Sequence, residues 1–176
     1  MKKEKIKLDQ ENLRKIFERI IEQLYEHHKT LIYDENGEGK DNKHVSEWGI
    51  VAWFFHYLVL ELDNKTLSID GEDYDNFNID IEYNRDEYSS VKKLNGEGVR
   101  PDLIIHKRRE EINILFLEFK TWWKTEGIEK DTIKVKEAVK SKNYKFGATI
   151  ILDTDDEKTI ESIRIYTKEN YPELKN

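Results

Sequence analysis

Residues 100–120 read RPDLIIHKRREEINILFLEFK, and this stretch decides the fold. Two apolar runs, 99–106 and 112–120, flank the polar KRREE at 107–111, the pattern of two strands joined by a tight turn. The predicted hairpin carries Asp102 at the start of its first strand and Glu118 and Lys120 at the end of its second. Alternation sets Ile114, Phe116, Glu118 and Lys120 on one face of that second strand and Leu115, Leu117 and Phe119 on the other. A buried strand has no packing reason to carry a carboxylate and an ammonium on its inner face. Burying unpaired charge costs several kcal/mol, comparable to the whole margin of stability of a domain. The bland alternative is that the strand leaves the core at Glu118 and the pair is solvated.

The acid-x-Lys spacing alone carries no information in a chain that is 38% charged. It recurs at Glu38/Lys40, Asp41/Lys43, Asp63/Lys65, Asp156/Lys158 and Glu173/Lys175. What separates Glu118 and Lys120 from these is the apolar run they close and the Pro101-Asp102 pair on the neighbouring strand. Proline is tolerated at a strand start because it gives up a ladder donor only at the edge. Two carboxylates on adjacent strands can share one hard divalent cation, and a lysine beside them can orient or activate a water.

These residues resemble the signature of the PD-(D/E)xK nuclease superfamily, the restriction-endonuclease-like phosphodiesterases. The resemblance implies an α/β fold with a mixed sheet in the order α-β-β-β-α-β, flanked by helices. It covers residues from about 45 to 154 of one domain spanning 1–176, with extra N- and C-terminal helices. It further implies hydrolysis of nucleic acid with Mg²⁺ or Mn²⁺ as cofactor. Asp102, Glu118 and the carbonyl of Phe119 would hold the metal, and Lys120, its pKa lowered by that metal, would sit beside the nucleophilic water. DNA is the first expectation for the substrate, with RNA open. The alternative is a catalytically inactive protein of the same fold, serving as a nucleic-acid- or protein-binding module.

Other candidates carry a functional and a bland reading side by side. Glu47 opens a predicted helix at 45–62 with Ser46 as a plausible N-cap; it either completes the metal site or is a first-turn acid favoured by the helix dipole. Glu82 and Arg85, in IEYNR, resemble a string on the second strand of uncharacterised bacterial members of the superfamily. Arg85 or Arg100 could bind the scissile phosphate, or either could pair with Glu82 or Glu97. Lys134 and Lys136 lie on the helix after the signature, where superfamily nucleases commonly carry a Lys or Gln supporting the site, although Asp131 and Lys134 are one turn apart and could pair with each other. His106 shares a face with Asp102 but lies about 13 Å along the strand, too far for the same coordination sphere.

Outside this core, the spacing of Leu13, Ile16, Phe17, Ile20, Ile21 and Leu24 predicts an amphipathic helix over 8–30. Residues 63–76 read as a turn, 77–83 as a strand and 84–98 as a charged loop. A helix follows over 130–143, an inner strand over 146–152, and a C-terminal helix over 157–170 closed by Pro172. The net charge of -7 is wrong for a nucleic-acid coat protein, though carboxylates gathered at a metal site would contribute to it. Nucleic-acid contact would then fall to local basic groups: Lys92 and Lys93, 107–109, or Lys142 and Lys145. Cysteine is absent, which excludes disulfides and thiolate metal sites. The five histidines lack zinc spacing, and neither a phosphate loop nor a Ser or Cys nucleophile motif is present. No apolar run approaches a membrane span, and the charged start of the chain is unlike a signal core, so a cytoplasmic protein with no membrane partner is expected. The aromatic helix at 45–62 offers a surface for a homodimer.

Overall fold

The computed structural model describes residues 3–32, 47–82, 93–94, 97–122, 124 and 126–174. Among these, a mixed α/β architecture is built from two mixed sheets, a two-stranded ribbon and four α-helices. The chain order is β1 (Glu4–Lys7), α1 (Gln10–Ile32), α2 (Glu47–Leu62), β2 (Lys65–Ile69), β3 (Glu72–Tyr74) and β4 (Asn78–Ile81), then β5 (Lys93–Leu94), β6 (Glu97–Gly98), β7 (Leu103–His106) and β8 (Asn113–Thr121). It continues with α3 (Ile128–Ser141), β9 (Phe146–Leu152), α4 (Asp156–Ser162) and β10 (Arg164–Tyr166), and closes on a 3₁₀ turn at Pro172–Leu174.

The main sheet has the order β10-β9-β8-β7-β4. Strands β4, β7 and β8 form an antiparallel meander, and β9 lies parallel to β8. A parallel neighbour requires a crossover, which α3 supplies. Within this main sheet the meander, the crossover helix and the parallel strand follow one another in the chain, while β2, β3, β5 and β6, which also lie between α2 and α3, pair outside it. β8 is buried on both faces from Ile114 to Glu118, and its two faces feed two different cores. Leu115, Leu117 and Phe119 pack with α1 and α2, whereas Phe116 packs with Ile104, Val135, Ala138, Val139 and Tyr144 beneath α3.

One residue breaks the alternation. Ile105 pairs with Leu115 and His106 with Asn113, so Ile114 is an extra residue, a β-bulge. Ile114 consequently joins the α1/α2 core rather than the face of Phe116 on which strict alternation would put it.

α1 buries the apolar stripe expected of it and is capped by Asp9, whose Oδ1 accepts the Asn12 amide at 2.9 Å. α2 is apolar nearly all round. It buries Ile50, Val51, Phe54, Leu58 and Leu62 and leaves Trp48, Trp53 and Leu60 exposed. The Ser46 cap and the helix start at Val45 lie outside the described residues. Among the described residues no helix is long and apolar enough to cross a membrane.

Two segments depart from the sequence reading. Residues 63–76, read as a turn, contain the hairpin β2–β3, and β1 adds to it in parallel. The turn at Asp70 and Gly71 has positive φ at both positions (52° and 84°), the two-residue hairpin geometry that Asp-Gly favours. The predicted C-terminal helix stops at Ser162, and Arg164–Tyr166 instead forms the sheet edge β10 against β9. Ser162 Oγ binds both the amide and the carbonyl of Ile151 at 2.9 Å, so it fastens the helix end to β9 and turns the chain into the sheet. The loop read over 84–98 contains the small β5–β6 pairing.

α3 reaches the sheet through Gly147. A Cβ built there would lie 2.5 Å from Val135 Cγ1, 2.8 Å from Val139 Cγ2 and 3.2 Å from the Val135 carbonyl. Gly147→Ala is therefore expected to lift α3 and to cost about 1–3 kcal/mol, the usual penalty for overpacking. The urea midpoint checks this; an unchanged midpoint would mean that the helix–sheet gap is not set by this glycine.

Candidate active site

The close seating of α3 brings four charged side chains together. Glu118 and Lys120, two residues apart, lie on the α3 face of β8. Asp131 and Lys134, three residues apart, share the face of α3 that looks back at the strand. The two rows meet in opposite directions: Lys134 Nζ lies 2.6 Å from Glu118 Oε1, and Lys120 Nζ lies 2.7 Å from Asp131 Oδ2. Asp131 and Lys134 thus do not pair with each other along the helix, the alternative open in the sequence; each takes a partner on the strand. Glu118 is 5% exposed. Its Oε1 and the Oδ2 of Asp131 are both buried, and each is met there by a lysine ammonium.

Asp102 stands one residue before β7, where the pairing of Leu103 with Leu117 aims it at the Glu118 end of β8. Its Oδ2 accepts the amide of Phe119 at 2.7 Å, and its backbone carbonyl accepts the amide of Glu82 at 3.1 Å. The side chain thus replaces a ladder acceptor at the end of the hairpin and is held against the strand that carries Glu118.

The electrostatics follow from this crowding. Burial, and then the charge of Asp102, push Glu118 up to about 8 despite Lys134. Burial also raises Asp102, opposed by the Phe119 amide and by Lys134. Glu47 and Asp131 each add to that rise. Burial works to lower Lys120, but the Asp131 carboxylate outweighs it and holds the ammonium above its ordinary value. The chain's own groups therefore act opposite to the lowered Lys120 pKa expected beside a metal. Gly127, left-handed at φ 92°, begins the turn into α3, and the Asp131 amide bonds its carbonyl at 2.9 Å.

Glu47 lies on the same side of the molecule, close enough for its charge to act on Asp102 and Lys120. Its Oε2 accepts the Thr121 hydroxyl at 3.4 Å and lies 3.6 Å from Lys124 Nζ. Among the described residues no three His, Asp or Glu side chains converge as ligands of one ion, so Glu47 borders the Asp102–Glu118 pair without closing a three-carboxylate set. Arg100 is exposed, with Nη2 3.6 Å from Glu82 Oε1, and its carbonyl accepts Lys134 Nζ at 3.3 Å. Arg85 lies outside the described residues. Lys136 points away from the site, its ammonium 4.8 Å from the centre of the Tyr171 ring and 3.9 Å from Glu173.

His106 is structural. It bonds Asp80 Oδ2 at 2.8 Å, and Arg108 pairs with both Asp80 oxygens. Burial works to raise Asp80, but these two partners hold it down at about 2. In the sequence Asp131 reads only as a partner for Lys134 and not as a member of the site, where it pairs with Lys120. Its signal was present: an acid in the first turn of α3, one turn ahead of Lys134 and so on the same face.

No family model, curated protein or solved structure matches the chain. The functional reading rests on the chemistry of the site. A buried carboxylate held beside a second one, which raises its pKa, suits a hard divalent cation. Asp102 and Glu118 are therefore a donor pair fit for Mg²⁺ or Mn²⁺.

The raised Glu118 pKa has a defined consequence for stability. A carboxyl that holds its proton more tightly when folded stabilises the fold least where it must ionise. Stability should be highest near the ordinary value of 4.5, fall as pH rises toward about 8, and level off beyond. The acid-side loss from Asp80 falls in a separate window, below its ordinary value of 3.8. Glu118→Gln should flatten the slope between about pH 5 and 8.5 and gain a few kcal/mol at the alkaline end. Urea melts across that range in the presence of a chelator measure it; parallel slopes for both proteins would show that Glu118 is not held protonated.

Proposed function

We propose that the Asp102–Glu118–Lys120 cluster is the active centre of a Mg²⁺-dependent nuclease of the PD-(D/E)xK type, acting on DNA. The observation that carries this reading is the pair of mutually repelling carboxylates, buried Glu118 on β8 and half-buried Asp102 just ahead of the neighbouring β7, with a lysine two residues beyond Glu118 on the same strand. The helix, meander, helix, strand order around the pair supports a restriction-endonuclease-like core. A scaffold without chemistry gains nothing from this cluster, whose charges are held at a cost in stability.

Asp102 and Glu118 would hold the cation, with the Phe119 carbonyl and Glu47 as further oxygen donors. When bound, the metal supplies Lewis-acid stabilisation of the phosphoryl group and an acidified water. Lys120, kept protonated by Asp131, offers positive charge to a phosphate oxygen and orients the attacking water; in this state it does not take up a proton. Arg100, exposed at the rim, would bind a neighbouring phosphate. Cutting both strands of a duplex at one place needs a second active centre, and the exposed Trp48, Trp53 and Leu60 of α2 are where a homodimer would be built.

A second reading, the catalytically inactive binding module of the same fold, draws support from the ion pairs that already neutralise Glu118 and Lys120. Incubation of the protein with duplex DNA, single-stranded DNA and RNA, with Mg²⁺ or Mn²⁺, separates the two. The expected outcome is metal-dependent cleavage, lost in Asp102→Asn and reduced about 10²–10³-fold in Lys120→Ala, the range for losing one group that stabilises developing charge. Metal should raise the melting temperature of the wild-type protein and of Lys120→Ala, but not of Asp102→Asn. Cleavage unchanged in Lys120→Ala would remove that lysine from the mechanism. Absence of both cleavage and metal binding would leave the binding module.

A further inference from the structure

Lys134 is the side chain the proposed chemistry does not use, yet it makes the closest contact in the site. Its ammonium lies 2.6 Å from Glu118 Oε1, and its charge also acts on Asp102. It is 22% exposed, with its Nζ 5.8 Å from the centre of the Phe116 ring. A single monovalent cation thus stands against Glu118, beside a second carboxylate, where a divalent cation would suit the pair. We infer that Lys134 is a built-in competitor for the metal: its ammonium serves the Asp102–Glu118 pair in the metal-free protein and is expelled when a divalent cation binds.

Three features make the exchange practicable. Lys134 sits on a helix while both carboxylates belong to the sheet, so the ammonium can withdraw by rotation of its own flexible stem. It already donates to the Arg100 carbonyl at 3.3 Å, a partner that remains once Glu118 is taken. Its side chain is 22% exposed, so the ammonium has a route outward when it leaves Glu118. The withdrawn ammonium would stand beside Arg100, on the side from which a phosphate approaches. Metal loading would therefore deliver a second positive charge to the substrate side, and the metal-free protein would keep its acidic pair covered.

This inference rests on the metal-dependent reading of the site, and the test separates the two. Mn²⁺ binding is measured by titration calorimetry on the full chain for wild type, Lys134→Met and Lys134→Arg. Removing the competitor should tighten Mn²⁺ binding about tenfold or more in Lys134→Met, whereas Lys134→Arg should stay near wild type. Thermal melts should cross: in chelator Lys134→Met melts below wild type, because buried Glu118 has lost the ammonium packed against it, and in saturating Mn²⁺ it melts at or above wild type. A purely structural lysine would lower both melts alike. Measurable wild-type binding that is unchanged or weaker in Lys134→Met overturns the competitor role while leaving the metal site standing. No Mn²⁺ binding by any of the three proteins overturns both. If Lys134→Met does not fold, Lys134→Gln, which keeps the length and a polar end, carries the same comparison.

Discussion

A carboxylate on the inner face of a central strand must be neutralised by something, and the arrangement of this molecule follows from how Glu118 is served. Its charge lies under α3, beyond the reach of bulk water, and Asp102 across the hairpin makes the problem worse. The answer is a helix laid back along the strand so that Lys134 meets Glu118 and Asp131 meets Lys120. That antiparallel match needs α3 close to the sheet, which requires Gly147 beneath it, and needs a turn into the helix beside Lys120, where Gly127 lies in the left-handed region. The charged cluster and the packing of α3 are therefore one constraint.

The reading of the sequence succeeded where hydrophobic period and length agree. The six apolar positions of α1 and the continuous run of β9 each allow one interpretation. The hairpin that unites Asp102 with Glu118 was legible because its two strands are apolar and its turn is not. Short elements were less legible. β2 has only Leu67 and Ile69 to mark its buried side, and it is stabilised by β1, some sixty residues away, which no local pattern announces. The C-terminal strand was hidden because Ile160, Ile163 and Tyr166 also fit helical spacing. Only the Ser162 hydroxyl, fastened to Ile151, decides for the sheet.

The site was legible to a different depth. Residue types and strand parity identified Asp102, Glu118 and Lys120, but parity says nothing about which groups approach from another layer. Asp131 and Lys134 face the strand because of the helix's rotation about its axis, and that rotation is set by Val135, Ala138 and Val139 packing on Phe116 and Gly147. Partner choice thus depended on tertiary packing. The single pair available to sequence reasoning, Asp131 with Lys134 along the helix, gave way to two pairs across the layers.

The extra residue at Ile114 acts as a phase marker in β8. Because successive side chains alternate, sliding β8 by one position against β7 would turn Glu118 and Lys120 into the apolar core and Phe119 out of it. A regular ladder offers no local feature that distinguishes the correct alignment from its neighbours. The bulge does: it fits only where two residues of β8 can stand opposite one step of β7, between Ile105 and His106. It lies next to the hairpin turn, where pairing can start with little loss of chain entropy. The correct alignment is thereby marked at the end of the hairpin remote from the chemistry. The site inherits its geometry from an irregularity four residues away that takes no part in it.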